Sequence, residues 1–478
     1  LIKEFERELA IIRGRVDGLE ARVGELEATQ FSTTTKLKGV TFWTMGANKF
    51  HGNASQGILD AAFGTNAAAL YDGGFYTDAN GDEVAVIDTI GMSKKELKQL
   101  TRSGFFGKKR SDIAAAKSGA FNFGYDLRLA FDTSFTGKDL LRARLRSGNF
   151  GDSPYSGSGY VGLHAQEYGF GSGNKVMIDR MFYSFPIGDN FTVTGGPRVR
   201  QDDMLAVWPS AYPADTTMDF FTYAGAPGAY NLSLGGGAGL TWADNGFSIS
   251  ASYLSINANN GNPQTGGGIA TDAAGSNATV QLGYGADNWG LYGVYNYGST
   301  DNGVGLYSGN GTPLAVAFQG MGVTNSFGLS AYWSPEDSGW IPSISVGWGL
   351  NSIDDTNNES AFINSATSQS WYVGVQWDDV FMDGNTFGMA VGQPTFVTDV
   401  DYDSEYDGSS DFVADGNYAF EWWYKFQVTD NISITPAIYY LSRPYGDLTD
   451  GGGRAFGGDR KDKTFNSLGT LVKTTFKF

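Results

Sequence analysis

Seven arginines between positions 128 and 200 are the clearest chemical signal in the sequence. They are Arg128, Arg142, Arg144, Arg146, Arg180, Arg198 and Arg200. Guanidinium groups present a planar set of donors that suits carboxylate and phosphate groups. A segment with Asp202, Asp203, Asp215 and Asp219 follows directly, so a basic wall would face an acidic loop. These charges would set a transverse field across an aqueous passage and would filter solutes by charge.

The same arginines also have a simpler interpretation. They could pair with Asp126, Asp132 and Asp179 and merely keep a polar wall soluble, and the sequence favours neither interpretation. Glu421 and Lys425 lie on the polar face of a later segment, and we predict that they line the same passage.

A second acidic segment is a candidate site for a hard cation. Its carboxylates are Asp399, Asp401, Asp403, Glu405 and Asp407. Closely spaced carboxylates suit Ca²⁺ or Mg²⁺, but this spacing does not match the EF-hand loop. Two interpretations therefore stay open: a solvated acidic loop, and a site where Ca²⁺ or Mg²⁺ bridges loops or lipopolysaccharide.

Composition argues against most enzyme classes. The chain of 478 residues has no Cys and only two His, which excludes thiolate chemistry and a multi-His metal centre. It contains no P-loop, no GxSxG motif and no HExxH motif. The net charge of -18 argues against nucleic acid as a partner. We predict that the protein is not an enzyme and needs no cofactor beyond such a cation.

From position 37 to the C-terminus, apolar and polar residues alternate every two positions. Phe123, Tyr125 and Leu127, for example, alternate with Gly124 and Asp126. This period indicates β-strands with one apolar face. We predict sixteen strands, at 37–45, 119–133, 139–147, 174–186, 190–199, 231–243, 246–256, 278–285, 288–298, 324–334, 341–350, 370–378, 386–396, 417–429, 431–442 and 465–478.

The connections between these strands alternate between short and long. Short ones such as TGKD and IGDN are Asp/Asn/Gly turns typical of hairpins. An even number of strands with short turns on one side is the pattern of outer-membrane barrels. A barrel this wide encloses water, so its apolar face meets lipid. We predict an all-β, sixteen-stranded antiparallel up-and-down transmembrane barrel over 31–478, with 46–118 as a long first outer loop or insert and 200–230 as a candidate constriction loop.

Residues 1–30 follow a different pattern, with apolar residues at heptad spacing. These residues are Ile2, Phe5, Leu9, Ile12, Val16, Leu19, Val23 and Leu26. Flanking charges pair with opposite signs in a parallel, in-register arrangement. We predict a parallel α-helical coiled-coil stalk that makes the protein a homo-oligomer, with the number of chains left open. The alternative is an amphipathic helix packed on its own domain.

Three segments carry a resemblance to a known family: FERELAIIRGRVDGLEARVGELEATQFSTTTKLKG, LRLAFDTSFTGKDLLRARLRSGNFG and FYSFPIGDN. They strongly resemble the cyanobacterial outer-membrane iron-uptake porins, which are related to the carbohydrate-selective porin B family. The resemblance implies a trimer in the outer membrane of a Gram-negative-type, cyanobacterial cell, with the coil in the periplasm. It also implies an S-layer-homology domain before the coil, which would bind peptidoglycan or another cell-wall polymer. This sequence lacks that domain and an initiator Met, so we interpret it as a mature or trimmed chain.

These observations predict an outer-membrane porin for passive diffusion of inorganic ions and small hydrophilic solutes. Iron and carbohydrates are candidate substrates that the resemblance implies. The alternative is a structural anchor between the outer membrane and the cell wall, with incidental permeability.

Overall fold

The computed structural model describes a large part of the chain. The described residues are 34–54, 75–77, 83–85, 109–214, 216–271, 274–299, 310–319, 322–336, 339–354, 363–402, 413, 415–450 and 463–478. The predicted coiled coil, residues 1–30, lies outside them, as does most of the segment 55–108.

The described residues form eighteen strands and two α-helices. The strands are β1 (Thr35–Gly52), β2 (Phe75–Thr77), β3 (Glu83–Ala85), β4 (Asn122–Thr133), β5 (Leu140–Gly148), β6 (Met177–Ile187), β7 (Phe191–Arg200), β8 (Leu234–Asp244), β9 (Phe247–Ser255), β10 (Ser276–Gly285), β11 (Trp289–Ser299), β12 (Val323–Trp333), β13 (Ser343–Asp354), β14 (Ile363–Asp378), β15 (Thr386–Tyr402), β16 (Tyr418–Thr429), β17 (Ile432–Ser442) and β18 (Phe465–Lys477). The α-helices are α1 (Arg110–Ser118) and α2 (Pro313–Phe318), and short 3₁₀ helices lie in the loops at Phe150–Asp152, Pro154–Ser156, Gly162–His164, Gln201–Met204, Asp219–Thr222, Pro263–Thr265 and Gly446–Asp450. Among the described helices, none has the length and apolar character needed to cross a membrane.

Sixteen of these strands close into one antiparallel barrel. Neighbours in sequence pair with each other from β4 to β18, and β1 pairs with both β4 and β18. Val40 of β1 lies opposite Arg128 on one side and Lys477 on the other. Strands β2 and β3 form a separate hairpin. Closure leaves no strand edge unpaired, as a sheet in hydrocarbon requires, and the predicted sixteen-stranded up-and-down barrel is confirmed.

The two faces of the sheet differ as the two-residue period predicts. On β10, the Val280 and Leu282 side chains are 43% and 54% exposed, whereas Thr279 and Gln281 are each 1% exposed. The same alternation places Leu329 outward and Ser330 inward on β12. An apolar surface of this extent belongs against lipid chains rather than water. The outward face is therefore the membrane-facing face.

Several strands extend beyond their predicted ends. Strand β1 continues past 45 to Gly52, β14 begins seven residues earlier than predicted, at 363 rather than 370, and β15 continues past 396. In these extensions several inward residues are apolar, among them Phe50, Ile363 and Val397, because they pack inside the barrel rather than facing water. Phe50 stacks on Phe465 with ring centroids 6.1 Å apart. The simple rule of apolar outside and polar inside therefore fails there.

The core of the protein lies inside the barrel. The second long loop (residues 149–176, between β5 and β6) and the third long loop (residues 201–233, between β7 and β8) fold into the interior. Their buried aromatic residues pack with inward residues of the wall, including Phe150, Tyr155, Phe220, Phe221, Tyr372, Trp423 and Tyr439. Tyr439 points inward and donates to Asn48 Oδ1. Since Tyr440 is its neighbour in the strand, the two side chains must lie on opposite faces.

Candidate functional site

The seven arginines lie on four adjacent strands, β4 to β7. Register pairs Arg128 with Arg146, Ala130 with Arg144, and Asp132 with Arg142 across β4 and β5. Arg144 in turn lies opposite Arg180 on β6. Neighbouring side chains at this spacing interact directly. The arginines therefore form one continuous patch, which we call the arginine wall.

Carboxylates are interleaved with the arginine wall. Asp132 accepts two hydrogen bonds from Arg142, at 2.8 and 2.9 Å, and also forms an ion pair with Lys38. Asp126 accepts a similar pair from Arg146, at 2.9 and 2.8 Å. Both arrangements are bidentate, which is the strong geometry for an arginine and a carboxylate.

The remaining carboxylate partners come from β6 and from the two long loops. Asp179 pairs with Arg144 and Arg180, and Glu167 of the second loop lies 2.9 Å from Arg128. Asp203 accepts from Arg180 Nε at 2.7 Å, and Asp202 accepts from Arg200. If the arginines only keep the wall soluble, their expected partners are Asp126, Asp132 and Asp179. All three carboxylates do form ion pairs with the arginine wall. The loop carboxylates Glu167, Asp202 and Asp203 also form ion pairs with the wall, so they do not face it across an open gap.

The third long loop crosses the interior and contacts the opposite wall. Serines on that wall bond its backbone: Ser345 Oγ accepts from the Ala211 and Tyr212 amides at 2.9 and 3.0 Å, and Ser330 Oγ donates to the Ala224 carbonyl at 3.0 Å. At Gly347, an added Cβ would meet the Ala224 carbonyl oxygen at 1.8 Å. Small and hydroxylated inward residues on β12 and β13 therefore let the loop approach the wall closely.

Glu421, on β16, holds the middle of this loop. Its carboxylate accepts from Tyr212 Oη at 2.6 Å, from the Met218 amide at 2.7 Å and from Thr216 Oγ1 at 3.3 Å. Burial and the neighbouring Glu421 carboxylate raise the pKa of Tyr212 well above its ordinary value, so its hydroxyl stays a donor. Glu421 was expected to line the passage; it is fully buried and clamps the loop instead.

Lys425 and Lys473 have different surroundings. Lys425 lies opposite Thr386 toward the short-turn end of β16 and is partly exposed. Lys473 is buried, and its Nζ donates to the Thr216 carbonyl at 3.1 Å, next to the Glu421 clamp. Sequence analysis did not single out Lys473, because one lysine in a terminal strand carries no pattern of its own.

The second long loop covers the other side of the interior. His164 Nε2 bonds Ser467 Oγ of β18 at 2.8 Å, and Tyr168 stacks on Phe42 of β1 with ring centroids 5.5 Å apart. Burial lowers the pKa of His164 to about 3, so the imidazole is neutral at physiological pH. The loop brings Glu167 to the arginine wall, and no sequence motif marked that residue.

A cavity of about 350 Å³ remains between the arginine wall and the two loops. Its charged lining residues are Arg146, Arg180, Arg198, Arg200, Glu167, Asp179 and Asp219.

Burial raises the pKa of Asp219 to about 6. Burial and the adjacent Asp202 carboxylate likewise raise the pKa of Asp203, whereas Arg200 outweighs burial and holds the pKa of Asp202 below its ordinary value. Asp215, predicted in the same loop, lies outside the described residues.

The proposed cation segment is only partly described. Asp399 and Asp401 lie on β15 with exposed side chains, while Asp403, Glu405 and Asp407 lie outside the described residues. Within the described ranges, no group of three or more His, Asp or Glu side chains is arranged to hold a metal ion.

Comparison with known proteins identifies relatives over the whole length. The profile of the family described as carbohydrate-selective porin, OprB family, matches residues 1–478. Uncharacterized proteins of Nostoc sp. and Synechocystis sp. are 29% and 27% identical, covering 100% and 93% of this chain and 71% of each relative. The OprB structure of Pseudomonas putida superposes with a TM-score of 0.52 at 12% identity, covering 95% of this chain and 96% of that one.

Fold and family agree with each other. The likeness to the Pseudomonas putida structure shows a shared barrel, and both curated relatives are cyanobacterial, as the sequence resemblance implied. The family and its fold are those of outer-membrane channels, which confirms the predicted outer-membrane location of the barrel and the prediction that the protein is not an enzyme. The chain belongs to the OprB family of carbohydrate-selective porins.

Proposed function

We propose that this channel lets inorganic ions and small hydrophilic solutes, including sugars, diffuse passively through the constriction between the arginine wall and the third long loop. The observation that supports this most is the cavity of about 350 Å³ that both line inside the closed barrel. A cavity of that size accommodates a hydrated ion or a monosaccharide. The family description supports sugars as one solute class.

The charges around the constriction suit solutes that carry dipoles. Arg200 and Arg180 of the wall form ion pairs with Asp202 and Asp203 of the third loop, and Asp219 of the same loop lines the cavity, so charges of both signs surround the constriction. Fixed charges at such a constriction act strongly because the walls have a low dielectric constant. These fixed charges would orient sugar hydroxyls and separate ions by sign.

Conductance of the purified protein in planar bilayers tests the proposal. We expect discrete conductance steps in KCl and swelling of protein-loaded liposomes in glucose, with slower swelling for larger oligosaccharides. Heat-denatured protein is the control. Intact protein that inserts and produces neither steps nor swelling would contradict the proposal.

A second function, as an anchor between envelope layers, rests on the heptads of residues 1–30. In this proposal a parallel coil in the periplasm joins three barrels and carries a domain that binds peptidoglycan, while the barrel contacts outer-membrane lipid and lipopolysaccharide. Deletion of residues 1–30 separates the roles: envelope detachment with normal solute flux assigns anchoring to the coil and permeation to the barrel.

Iron as a transported solute is the most specific expectation, and only the sequence resemblance supports it. Uptake of radiolabelled iron salts into the same liposomes, compared with glucose uptake, tests iron as a permeant. Glucose entry without iron entry would exclude it.

A further inference from the structure

The arginine wall contains an irregularity in two neighbouring strands. Between β5 and β6 the pairing passes from Arg144–Arg180 to Leu145–Ile178, so Asp179 is an extra residue on β6. Between β7 and β8 it passes from Gly196–Gly237 to Val199–Gly235, which leaves one extra residue on β7. Such β-bulges re-aim side chains and are enriched beside functional sites.

The first bulge points two consecutive side chains inward. Asp179 and Arg180 are 6% and 1% exposed, although neighbours in a regular strand would face opposite sides. Arg180 Nε donates to Asp203 and Nη1 donates to the Asp179 carbonyl, at 2.7 and 2.9 Å. Its Nη2 is buried and has no hydrogen-bond partner among the described residues.

The second bulge, between Gly196 and Val199, contains another cation, Arg198, which lines the same cavity as Arg180. Arg198 lies directly opposite Met181, the residue after Arg180. In the described part of the chain, its side chain forms no ion pair, and its buried Nε has no hydrogen-bond partner. Every other arginine of the wall is paired with a carboxylate. Arg198 is therefore the member of this wall whose charge no described carboxylate balances.

The surroundings of these two arginines favour an anion. Both line the cavity of about 350 Å³, where four arginines meet three carboxylates. Arg144 and Arg180 are directly opposite each other and share Asp179, so that carboxylate already balances two cations before Arg198 is counted. Unpaired buried donors carry a desolvation cost that a bound acceptor would remove.

We propose that Arg180 and Arg198 form a binding subsite for a small oxyanion, the phosphate or carboxylate group of a permeating solute. The oxyanion accepts from Arg180 Nη2 and Arg198 Nε and replaces the water that these donors would otherwise need. Guanidinium groups suit such oxygens because their donors lie in one plane. The subsite deepens the proposed function, on which it rests, by adding an anionic solute class to the ions and sugars.

Isothermal titration calorimetry of the detergent-solubilised protein tests the subsite without requiring conduction. Inorganic phosphate, glucuronate and neutral glucose are titrated separately in a low-chloride buffer. We expect saturable binding of at least one of the two oxyanions, and the two arms show which oxyanion the site prefers. Neither oxyanion binding to the wild type would overturn the proposal.

Variants of Arg198 locate the site. Arg198→Gln removes the charge without leaving a described carboxylate unpaired, so the barrel should fold. Loss of one charge-assisted donor should weaken oxyanion binding about 10-fold or more. Arg198→Lys keeps the charge but not the planar donors, and its affinity should be intermediate. Lys175→Gln, which removes an exposed cation just before β6, should change the affinity by less than about twofold.

The outcomes for the two proposals are distinct. Wild-type protein that conducts KCl but binds neither phosphate nor glucuronate contradicts the subsite and leaves the channel function intact. Oxyanion binding without conduction contradicts the channel function alone. Equal weakening by Arg198→Gln and Lys175→Gln would show general surface electrostatics and would overturn the subsite.

Discussion

Replacement of Glu421 by Ala tests how the third long loop is held inside the barrel. The variant removes the acceptor of two short bonds, from Tyr212 Oη at 2.6 Å and the Met218 amide at 2.7 Å, and of a longer one from Thr216. Hydrogen bonds to a buried charged group contribute about 1.5–3 kcal/mol each. Two such bonds amount to about 3–6 kcal/mol of local opening free energy.

Hydrogen exchange of the Met218 amide measures that energy directly. A loss of about 3–6 kcal/mol predicts that its protection falls by a factor of roughly 10²–10⁴. Barrel amides on β10 should keep their protection, because the change is local. Single-channel recordings should show larger, noisier current steps as the freed loop moves.

Glu421→Gln is the matched control. It keeps the shape and two acceptor lone pairs but loses the charge, so we expect a loss of protection between wild type and Glu421→Ala. Unchanged protection at Met218 in Glu421→Ala, with unchanged channel current, would refute the clamp.

Four further results follow from the structure. Arg142→Ala with Arg144→Ala should lower the chloride-to-potassium permeability ratio about 30-fold, since each lost charge shifts the energies of chloride and potassium by about 0.5 kcal/mol in opposite directions at about 8 Å in water; an unchanged reversal potential in a KCl gradient would contradict the selectivity role. Burial raises the pKa of Asp219 to about 6, so its charge is lost as pH falls through that value and the chloride-to-potassium permeability ratio should rise about fourfold between pH 7 and 5; Asp219→Asn should abolish this step, and a step that persists would exclude Asp219. Gly347→Ala should displace the third loop and change the conductance, because its Cβ would overlap a loop carbonyl; normal current steps would show that the loop can adjust. Deletion of residues 1–30 should lower the particle mass in light scattering, because the proposed coil joins the barrels, whereas an unchanged mass would show that the coil does not hold them together.

The strands could be predicted because the environment of a membrane barrel is simple. Lipid outside and polar groups inside impose the two-residue alternation seen at Thr279, Val280, Gln281 and Leu282. The prediction lost accuracy wherever the inner environment was not water. Phe50 lies in the unpredicted extension of β1, points inward and packs against Phe465. Because an apolar residue stands on the inward face there, the alternation of apolar and polar residues is lost.

The arrangement of the constriction needed the structure. The alternation placed the arginines on one wall, but a β-bulge turns both Asp179 and Arg180 inward, and no period in the sequence marks an inserted residue. The contact between Tyr212 and Glu421 joins residues 209 positions apart. Contacts of this kind depend on how a loop crosses the interior, which local pattern does not encode.

Nitroxide scanning along β10 tests most directly whether this sheet turns its apolar face to lipid. The chain has no Cys, so single cysteines can be introduced and labelled at positions 279 to 282 without further changes. In proteoliposomes, labels at Val280 and Leu282 should collide often with dissolved oxygen and rarely with a water-soluble nickel chelate. Labels at Thr279 and Gln281 should show low oxygen accessibility, which gives a two-residue period. Equal accessibility at all four positions, or high nickel accessibility at 280 and 282, would contradict the account.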